Sequence, residues 1–225
     1  MIRSVIIPFD LLAVETLYGL AILAICVILY TKINEFYSLT NHKGFLYFKN
    51  IFLFFGLAYV IRVFYIFFIY ILQDIISARV LLALSLFSVT YFSNLAFFSI
   101  ILMLVYRRIP AFIQIPFVFY SGIGLLSLTI LLTRSHLDLI ALQTAVMAVA
   151  MVGLLFYKKK GSNFLSQNKI TFLLLMFFWV ITVIPFGKNF LSPVWRIPIY
   201  MLSLSVFAWI YYRIEIVMYN GKKKR

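Results

Sequence analysis

The chain is dominated by long apolar stretches of the length that a membrane-spanning helix requires. A helix that crosses the hydrocarbon of a bilayer needs about 20 predominantly apolar residues. Seven stretches meet this requirement, and they cover residues 9–31, 47–72, 80–105, 111–132, 137–157, 170–187 and 193–214. We therefore predict an all-α, polytopic membrane protein in which residues 1–225 form one domain, a seven-transmembrane-helix bundle joined by short polar loops.

The composition indicates that lipid is the main solvent of the chain. Of its 225 residues, 65% are hydrophobic and only 12% are charged. A soluble domain carries roughly 25% charged residues, because its surface faces water. The formal net charge is +14, which in a soluble protein would point to nucleic acid. Here the cations lie between the apolar stretches, and we expect no nucleic-acid partner.

The distribution of cations predicts the orientation in the membrane. Lys and Arg collect in cytoplasmic loops. The first, third and fifth loops and the C-terminal end hold 14 of the 20 Lys and Arg residues, and the opposite side holds 5. This predicts a multi-pass protein of the cell membrane with its N-terminus outside and its C-terminus in the cytoplasm. The lysine clusters at 158–160 and 222–224 are expected to meet anionic lipid headgroups, or alternatively a membrane or cytoplasmic protein partner.

Polar residues within the apolar stretches are the candidates for function. Such residues are costly in lipid and face the interior of a helix bundle. Four of them stand in the predicted spans, and two tyrosines lie beside them on the same helices. The candidate ligand-binding set is Glu15, Tyr59, Arg62, Tyr91, Asn94 and Gln143.

Glu15 and Arg62 are predicted to form a buried ion pair. In adjacent antiparallel helices they would lie about 9 Å and about 15 Å below the same membrane surface, at a rise of 1.5 Å per residue. The long arginine side chain can bridge that difference. Tyr59, Tyr65 or Asn94 are expected as hydrogen-bonding neighbours. Two interpretations stay open, a structural ion pair and a binding site for an anionic ligand.

Helical spacing predicts four further faces. The third span carries a partly polar stripe of Phe87, Thr90, Tyr91, Asn94, Phe98 and Ile101. The fifth span has a small-residue face of Ala141, Ala145 and Ala148, where another helix is expected to approach closely, and a separate face with Gln143, Met147 and Met151. The seventh span places Tyr200, Ser203 and Phe207 together.

No pattern typical of catalysis or of a cofactor is present. The chain lacks H-E-x-x-H, G-x-S-x-G and paired carboxylates at helical spacing. Its single cysteine, Cys26, lies in an apolar run, and His42 and His136 fall on opposite sides of the predicted topology. We therefore expect a protein that is not an enzyme and that holds neither a metal nor another cofactor.

Two resemblances bear on function. Seven spans with an external N-terminus resemble the architecture of microbial rhodopsins, which hold retinal on a lysine of the seventh helix. Residues 193–214 contain no lysine, so retinal is not expected here. The segment YFKNIFLFFGLAYVIRVF, residues 47–64, is similar to the second helix of seven-helix sensory domains of prokaryotic membrane receptors. Those domains are commonly fused to an output module, which no loop of this chain is long enough to hold.

The sequence thus favours a sensor-like or receptor-like membrane module that binds a small ligand or a membrane partner and signals through a separate protein. One alternative is a small-solute transporter or channel. The architecture is comparable to that of sugar transporters built from two three-helix repeats, although their Pro-Gln signature is absent. A second alternative is an accessory or structural subunit of a membrane complex.

Overall fold

The computed structural model of the chain describes residues 9–71, 78–105, 116–133, 136–156, 173–179, 181 and 193–223. All secondary structure in these residues is α-helical, which confirms the all-α part of the predicted fold class. The helices are α1 (Phe9–Thr40), α2 (Lys43–Ile71), α3 (Ala78–Val105), α4 (Pro116–Thr133), α5 (His136–Phe156), α6 (173–179, with residue 181) and α7 (Pro193–Lys223).

Four of these helices are long and apolar enough to cross a membrane. Within the described residues the qualifying segments are Leu12–Thr40, Lys43–Phe68, Ala83–Met103 and Arg196–Ile216. A helix satisfies its own backbone N–H and C=O groups, which lipid cannot do, so apolar composition and helical structure occur together. These segments identify the chain as a membrane protein.

The helices extend further than the apolar stretches that predict them. We expected a loop after residue 31, but α1 continues to Thr40 and α2 begins at Lys43. The predicted seventh span ends at residue 214, whereas α7 continues to Lys223. Hydropathy marks the part of a helix that lies in hydrocarbon, and the backbone hydrogen-bond ladder continues beyond it wherever nothing breaks it. The 32 residues of α1 make a helix of about 48 Å, against about 30 Å of hydrocarbon.

A two-residue turn joins α1 to α2. Asn41 adopts a positive φ of 48°, and its N–H donates to the Tyr37 carbonyl oxygen over 2.8 Å, which closes α1 with a left-handed residue. The next residue, His42, caps the N-terminus of α2. Its Nδ1 accepts a hydrogen bond of 3.1 Å from the Gly44 N–H. Asparagine tolerates the left-handed region better than most residues, which explains its place at this turn.

The two helices of this hairpin pack closely along most of their length. A Cβ atom added to Gly19 would come within 2.5 Å of Val63 Cγ2, so the glycine is required for the approach of α2. Further along, Gly56 lies against Cys26, where an added Cβ would be 3.5 Å from the cysteine Cβ. Because the small residues lie on facing surfaces, α1 and α2 meet at both levels without bulky side chains between them.

Near the turn, a lysine joins the two helices. Lys49 Nζ donates to Asn34 Oδ1 over 2.7 Å. The same ammonium lies 4.7 Å from the ring centroid of Tyr37 and 5.6 Å from that of Tyr30, within the range of cation–π attraction. These contacts explain why residues beyond the apolar stretch of α1 remain helical, because they give that part of the helix a packing surface.

The third helix continues the packing around an aromatic core. Phe55 of α2 and Phe97 of α3 are fully buried, and their rings meet edge to face with centroids 6.1 Å apart. The Tyr65 side chain of α2 forms a hydrogen bond with Ser85 of α3. Tyr91 and Asn94 of α3 contact α4 and are described below with the other candidate residues.

Internal contacts divide the chain into two compact units, Met1–Val146 and Met147–Arg225. The second unit contains the face predicted for the seventh span. Its three residues, Tyr200, Ser203 and Phe207, are all buried, with exposures of 3%, 0% and 0%. Phe207 stacks on Phe178 of α6, with ring centroids 4.5 Å apart and an interplanar angle of 13°. The predicted shared face of α7 is therefore confirmed as a packing surface.

Candidate functional site

The predicted partners Arg62 and Glu15 lie together in the first unit. An Arg62 terminal guanidinium nitrogen is 3.8 Å from Glu15 Oε2, and the two side chains are 7% and 12% exposed. Among the described residues, Arg62 is the one charged residue that is classed as buried. The geometry is that of an ion pair, but the distance exceeds the 2.7–2.9 Å of a tight charge-assisted hydrogen bond. The carboxylate thus neutralises the guanidinium without clamping it in a bidentate arrangement.

Two tyrosines complete the surroundings of the guanidinium. The Arg62 Cζ atom is 5.9 Å from the ring centroid of Tyr18 and 5.8 Å from that of Tyr59. Both distances are within the roughly 6 Å over which a ring attracts a cation. The hydroxyl oxygens of the two tyrosines are 3.1 Å apart, so that one donates to the other. We call Glu15, Tyr18, Tyr59 and Arg62 the Arg62 cluster.

The cluster follows from a matched spacing on two antiparallel helices. On α1, Glu15 precedes Tyr18 by three residues, and on α2, Tyr59 precedes Arg62 by three. Residues three apart share a helix face. Because the helices run in opposite directions, Glu15 comes opposite Arg62 and, about one turn away, Tyr18 comes opposite Tyr59. Gly19 follows Tyr18 on α1, and Val63 follows Arg62 on α2. The close approach of these two residues sets the distance between the helices at the cluster.

Tyr18 is the member that sequence reasoning missed. The signal was available, because a residue three positions after a buried carboxylate lies on the same helix face. The chain contains 15 tyrosines, however, so a tyrosine in an apolar run is not distinctive by itself. Of the neighbours predicted for Arg62, the structure places Tyr59 beside it. Tyr65 instead forms a hydrogen bond with Ser85, and Asn94 contacts Ser127.

Asn94 and Tyr91 belong to a second polar group, between α3 and α4. Asn94 is fully buried, and its Nδ2 donates to Ser127 Oγ over 3.4 Å. The Tyr91 hydroxyl donates to the Tyr120 carbonyl oxygen over 3.5 Å, and the Tyr91 ring stacks on Phe87 with centroids 6.0 Å apart. The predicted stripe of α3 therefore takes part in helix packing, and two of its polar members, Tyr91 and Asn94, contact α4 through long hydrogen bonds.

Gln143 is buried on α5, with 2% of its surface exposed. The small-residue face predicted for the same helix is not a packing surface, because Ala141, Ala145 and Ala148 are all exposed. That prediction is wrong for this chain. A polar amide in lipid costs more than exposed alanines do, so the helix turns Gln143 inward and leaves the alanines outside.

Within the described residues, no three side chains of His, Cys, Asp or Glu come close enough together to hold a metal ion. The chemistry available at the Arg62 cluster is recognition of charge. A guanidinium presents planar donors that match carboxylate and phosphate oxygens, and the tyrosines add two hydroxyl groups and two aromatic faces.

The fold and this cluster define an all-helical membrane protein with an ion pair buried in an apolar helical hairpin. The chain is 31% identical over 230 residues to a protein of Archaeoglobus fulgidus that is described as uncharacterized, and the match covers 95% of this chain and 96% of that protein. The two proteins belong to one family. No protein-family model matches the chain, and no solved structure does.

The ion pair should be measurable as an energetic coupling. Arg62→Met and Glu15→Gln each leave one charge buried without its partner, so each variant is expected to lower the free energy of unfolding. The double variant Glu15→Gln/Arg62→Met should lose less than the two separate losses together, with a coupling of about 0.5–3 kcal/mol. Reversible denaturation in mixed micelles, followed by circular dichroism, provides the measurement.

Tyr30→Phe combined with Glu15→Gln is a suitable control, since Tyr30 contacts Lys49 and is not a member of the Arg62 cluster. Those two substitutions should act additively. If Glu15→Gln and Arg62→Met also prove additive, the pair contributes nothing to stability and the geometry has no energetic consequence.

Proposed function

We propose that the chain is a receptor-like module of seven membrane spans, with its N-terminus outside and its C-terminus in the cytoplasm. In this proposal it binds a small anionic ligand at Arg62 and passes the binding event to a separate protein. The observation that carries the proposal is the Arg62 cluster, an arginine that lies beside two tyrosines and 3.8 Å from one carboxylate within an apolar hairpin.

The cost of burying Arg62 supports a functional role. An arginine at the centre of a membrane helix costs roughly 2.5–3.5 kcal/mol even on the most lenient insertion scale. Apolar residues of similar volume pack in such a place without that cost, and replacing buried ion pairs by them is often neutral or stabilising. The presence of the pair is therefore easier to explain by a charge that the protein uses than by stability alone.

The distance within the pair supports exchange of one anion for another. At 3.8 Å the Glu15 carboxylate supplies charge but not a tight hydrogen bond, and its side chain is 12% exposed. A carboxylate or phosphate group of a ligand can form the shorter, bidentate contact that arginine favours. In the proposed bound state the ligand takes the place of Glu15 at the guanidinium, and the tyrosines line its sides.

The continuity of the helices favours a receptor over a transporter. Solute pathways in transporters are typically built from discontinuous helices near the membrane centre. Here α1, α2 and α3 run unbroken for 32, 29 and 28 residues. From Arg62 to the start of α2 at Lys43 the distance along the axis is about 28 Å at 1.5 Å per residue. A change in the α1–α2 contact at Arg62 is thereby carried to the turn at Asn41.

The cation distribution supports the proposed orientation. With the seven predicted spans, 14 of the 20 Lys and Arg residues fall on one side, which is cytoplasmic under the positive-inside rule. The turn between α1 and α2 and the lysines at 222–224 then share the cytoplasmic side, where a separate signalling protein is available.

The orientation is tested by labelling single cysteines in intact cells. On a Cys26→Ala background, Gly161→Cys lies in the predicted fifth loop and should react with a membrane-impermeant maleimide only after the cells are opened. Ser135→Cys lies in the predicted fourth loop and should react from outside. Reaction of the cysteine at position 161 in intact cells would contradict the seven-span orientation.

The ligand site is tested with a panel of small carboxylates and phosphates on the purified protein in lipid nanodiscs. An anion that raises the melting temperature of the wild type should bind at least about tenfold more weakly to Arg62→Met, a loss of about 1.4 kcal/mol. Glu15→Gln should bind it more tightly, because the competing carboxylate is gone. Opposite effects of these two substitutions distinguish a ligand site from a structural ion pair.

Arg196→Met serves as the matched control, since it removes a part-buried arginine from α7, outside the Arg62 cluster. It should leave the affinity of the anion unchanged. The proposal fails if no anion in the panel affects the wild type, or if a bound anion has the same affinity for Arg62→Met.

A further inference from the structure

The side-chain amide of Asn94 is a second buried polar group. Its oxygen, Oδ1, receives no hydrogen bond from the described residues. Asn94 is 0% exposed. Its Nδ2 donates to Ser127 Oγ over 3.4 Å, but no described residue donates to its Oδ1 atom, which is buried. An unsatisfied buried polar atom destabilises the folded protein. Lipid cannot supply the missing bond, because hydrocarbon has no polar hydrogen.

The hydroxyl groups along α3 do not provide a donor for Asn94. Thr90, one turn before Asn94, donates to the Leu86 carbonyl oxygen over 2.6 Å. Ser93 donates to the Val89 carbonyl oxygen, and Ser99 donates to the Leu95 carbonyl oxygen over 2.7 Å. A hydroxyl has a single hydrogen, so each of these groups has already used its donor on the backbone of its own helix.

Exchanging the oxygen and nitrogen of the Asn94 amide does not remove the problem. The Ser127 hydroxyl would then donate to Oδ1, and Nδ2 would become the atom that needs a partner. In both orientations one polar atom of a fully buried amide needs a further bond. An O–H group meets either need, because it both donates and accepts.

The hydrogen bonds described between α3 and α4 are long. Those of Asn94 with Ser127 and of Tyr91 with Tyr120 measure 3.4 and 3.5 Å, at the long end of the range. One turn away, a Cβ added to Gly124 would lie 3.7 Å from Tyr91 Cε2, an ordinary van der Waals distance. The two helices are therefore less closely packed here than α1 and α2 are at Gly19.

We propose that the α3–α4 interface is a binding site for an O–H group at Asn94, supplied by a buried water molecule or by the hydroxyl of a small ligand. The O–H group donates to Asn94 Oδ1. The second hydrogen of a water is accepted by Ser127 Oγ or by Thr90 Oγ1, and the Ser127 hydroxyl donates to the water oxygen, which gives the roughly three bonds of a buried water. This site is independent of the anion site proposed at Arg62.

The test is magnetic resonance on the protein in deuterated lipid. Protein that is perdeuterated, ¹⁵N-labelled and back-exchanged in H₂O has no protons on its own carbon atoms. Magnetisation is transferred to the Asn94 side-chain amide from water protons, or from the carbon-bound protons of unlabelled ethanol that is added as a small hydroxyl probe. Asn34, which is exposed, is the positive control, and the backbone amide of Ala96, which is 0% exposed, is the dry control.

Hydroxyl protons of the protein can imitate a bound water, so the measurement is repeated on Thr90→Val and on Ser127→Ala separately, each of which removes one hydroxyl and leaves the other as an acceptor. Transfer at the water frequency that persists in both variants supports the site and assigns its occupant as water. Transfer from the carbon-bound protons of the added ethanol supports the site and assigns the hydroxyl of a small ligand. The proposal is overturned if Asn94 receives no transfer while Asn34 does, or if either single substitution abolishes the transfer at the water frequency.

Discussion

In a chain that lies mostly in lipid, each polar group must find its partner within the protein. This constraint selects continuous helices, because a helix satisfies its own backbone. It also explains why serine and threonine hydroxyls along α3 turn back to carbonyl oxygens of the preceding turn. For the guanidinium of Arg62 there is no such local solution. Its charge partner Glu15 comes from α1, and the position of α1 against α2 therefore depends on the Arg62 cluster.

The first two helices illustrate how close packing and a buried charge support each other. Gly19 lets α1 approach α2 to the distance at which Glu15 can face Arg62. The tyrosines then exclude lipid from the pair and attract the guanidinium through their rings. A pair held at 3.8 Å keeps the charge in place but leaves it open to a better partner, which is the property that the proposed anion receptor requires.

Hydropathy alone predicted the all-helical membrane class, and the depth of Glu15 and Arg62 predicted that they meet. Both predictions depend on large energies, the cost of exposed backbone and of an unpaired charge in lipid. The ends of α1 and α7 were not predictable in the same way, since the turn at Asn41 depends on a single left-handed residue and on the His42 side chain. The contact of Tyr18 with Arg62 and the inward rotation of α5 at Gln143 depend on which helix faces pack together. The sequence does not mark those faces, because lipid-exposed and buried faces are similarly apolar.

The central claim is that Arg62 and Glu15 are direct partners in the membrane. The most direct measurement is rotational-echo double resonance on the protein in lipid bilayers, with ¹⁵N in the arginine guanidinium groups and ¹³C in the glutamate carboxyl groups. The account predicts strong dephasing from a short nitrogen–carbon distance, consistent with the 3.8 Å contact, and its loss in Glu15→Gln. Dephasing that is absent in the wild type, or that is unchanged in Glu15→Gln, would contradict the account.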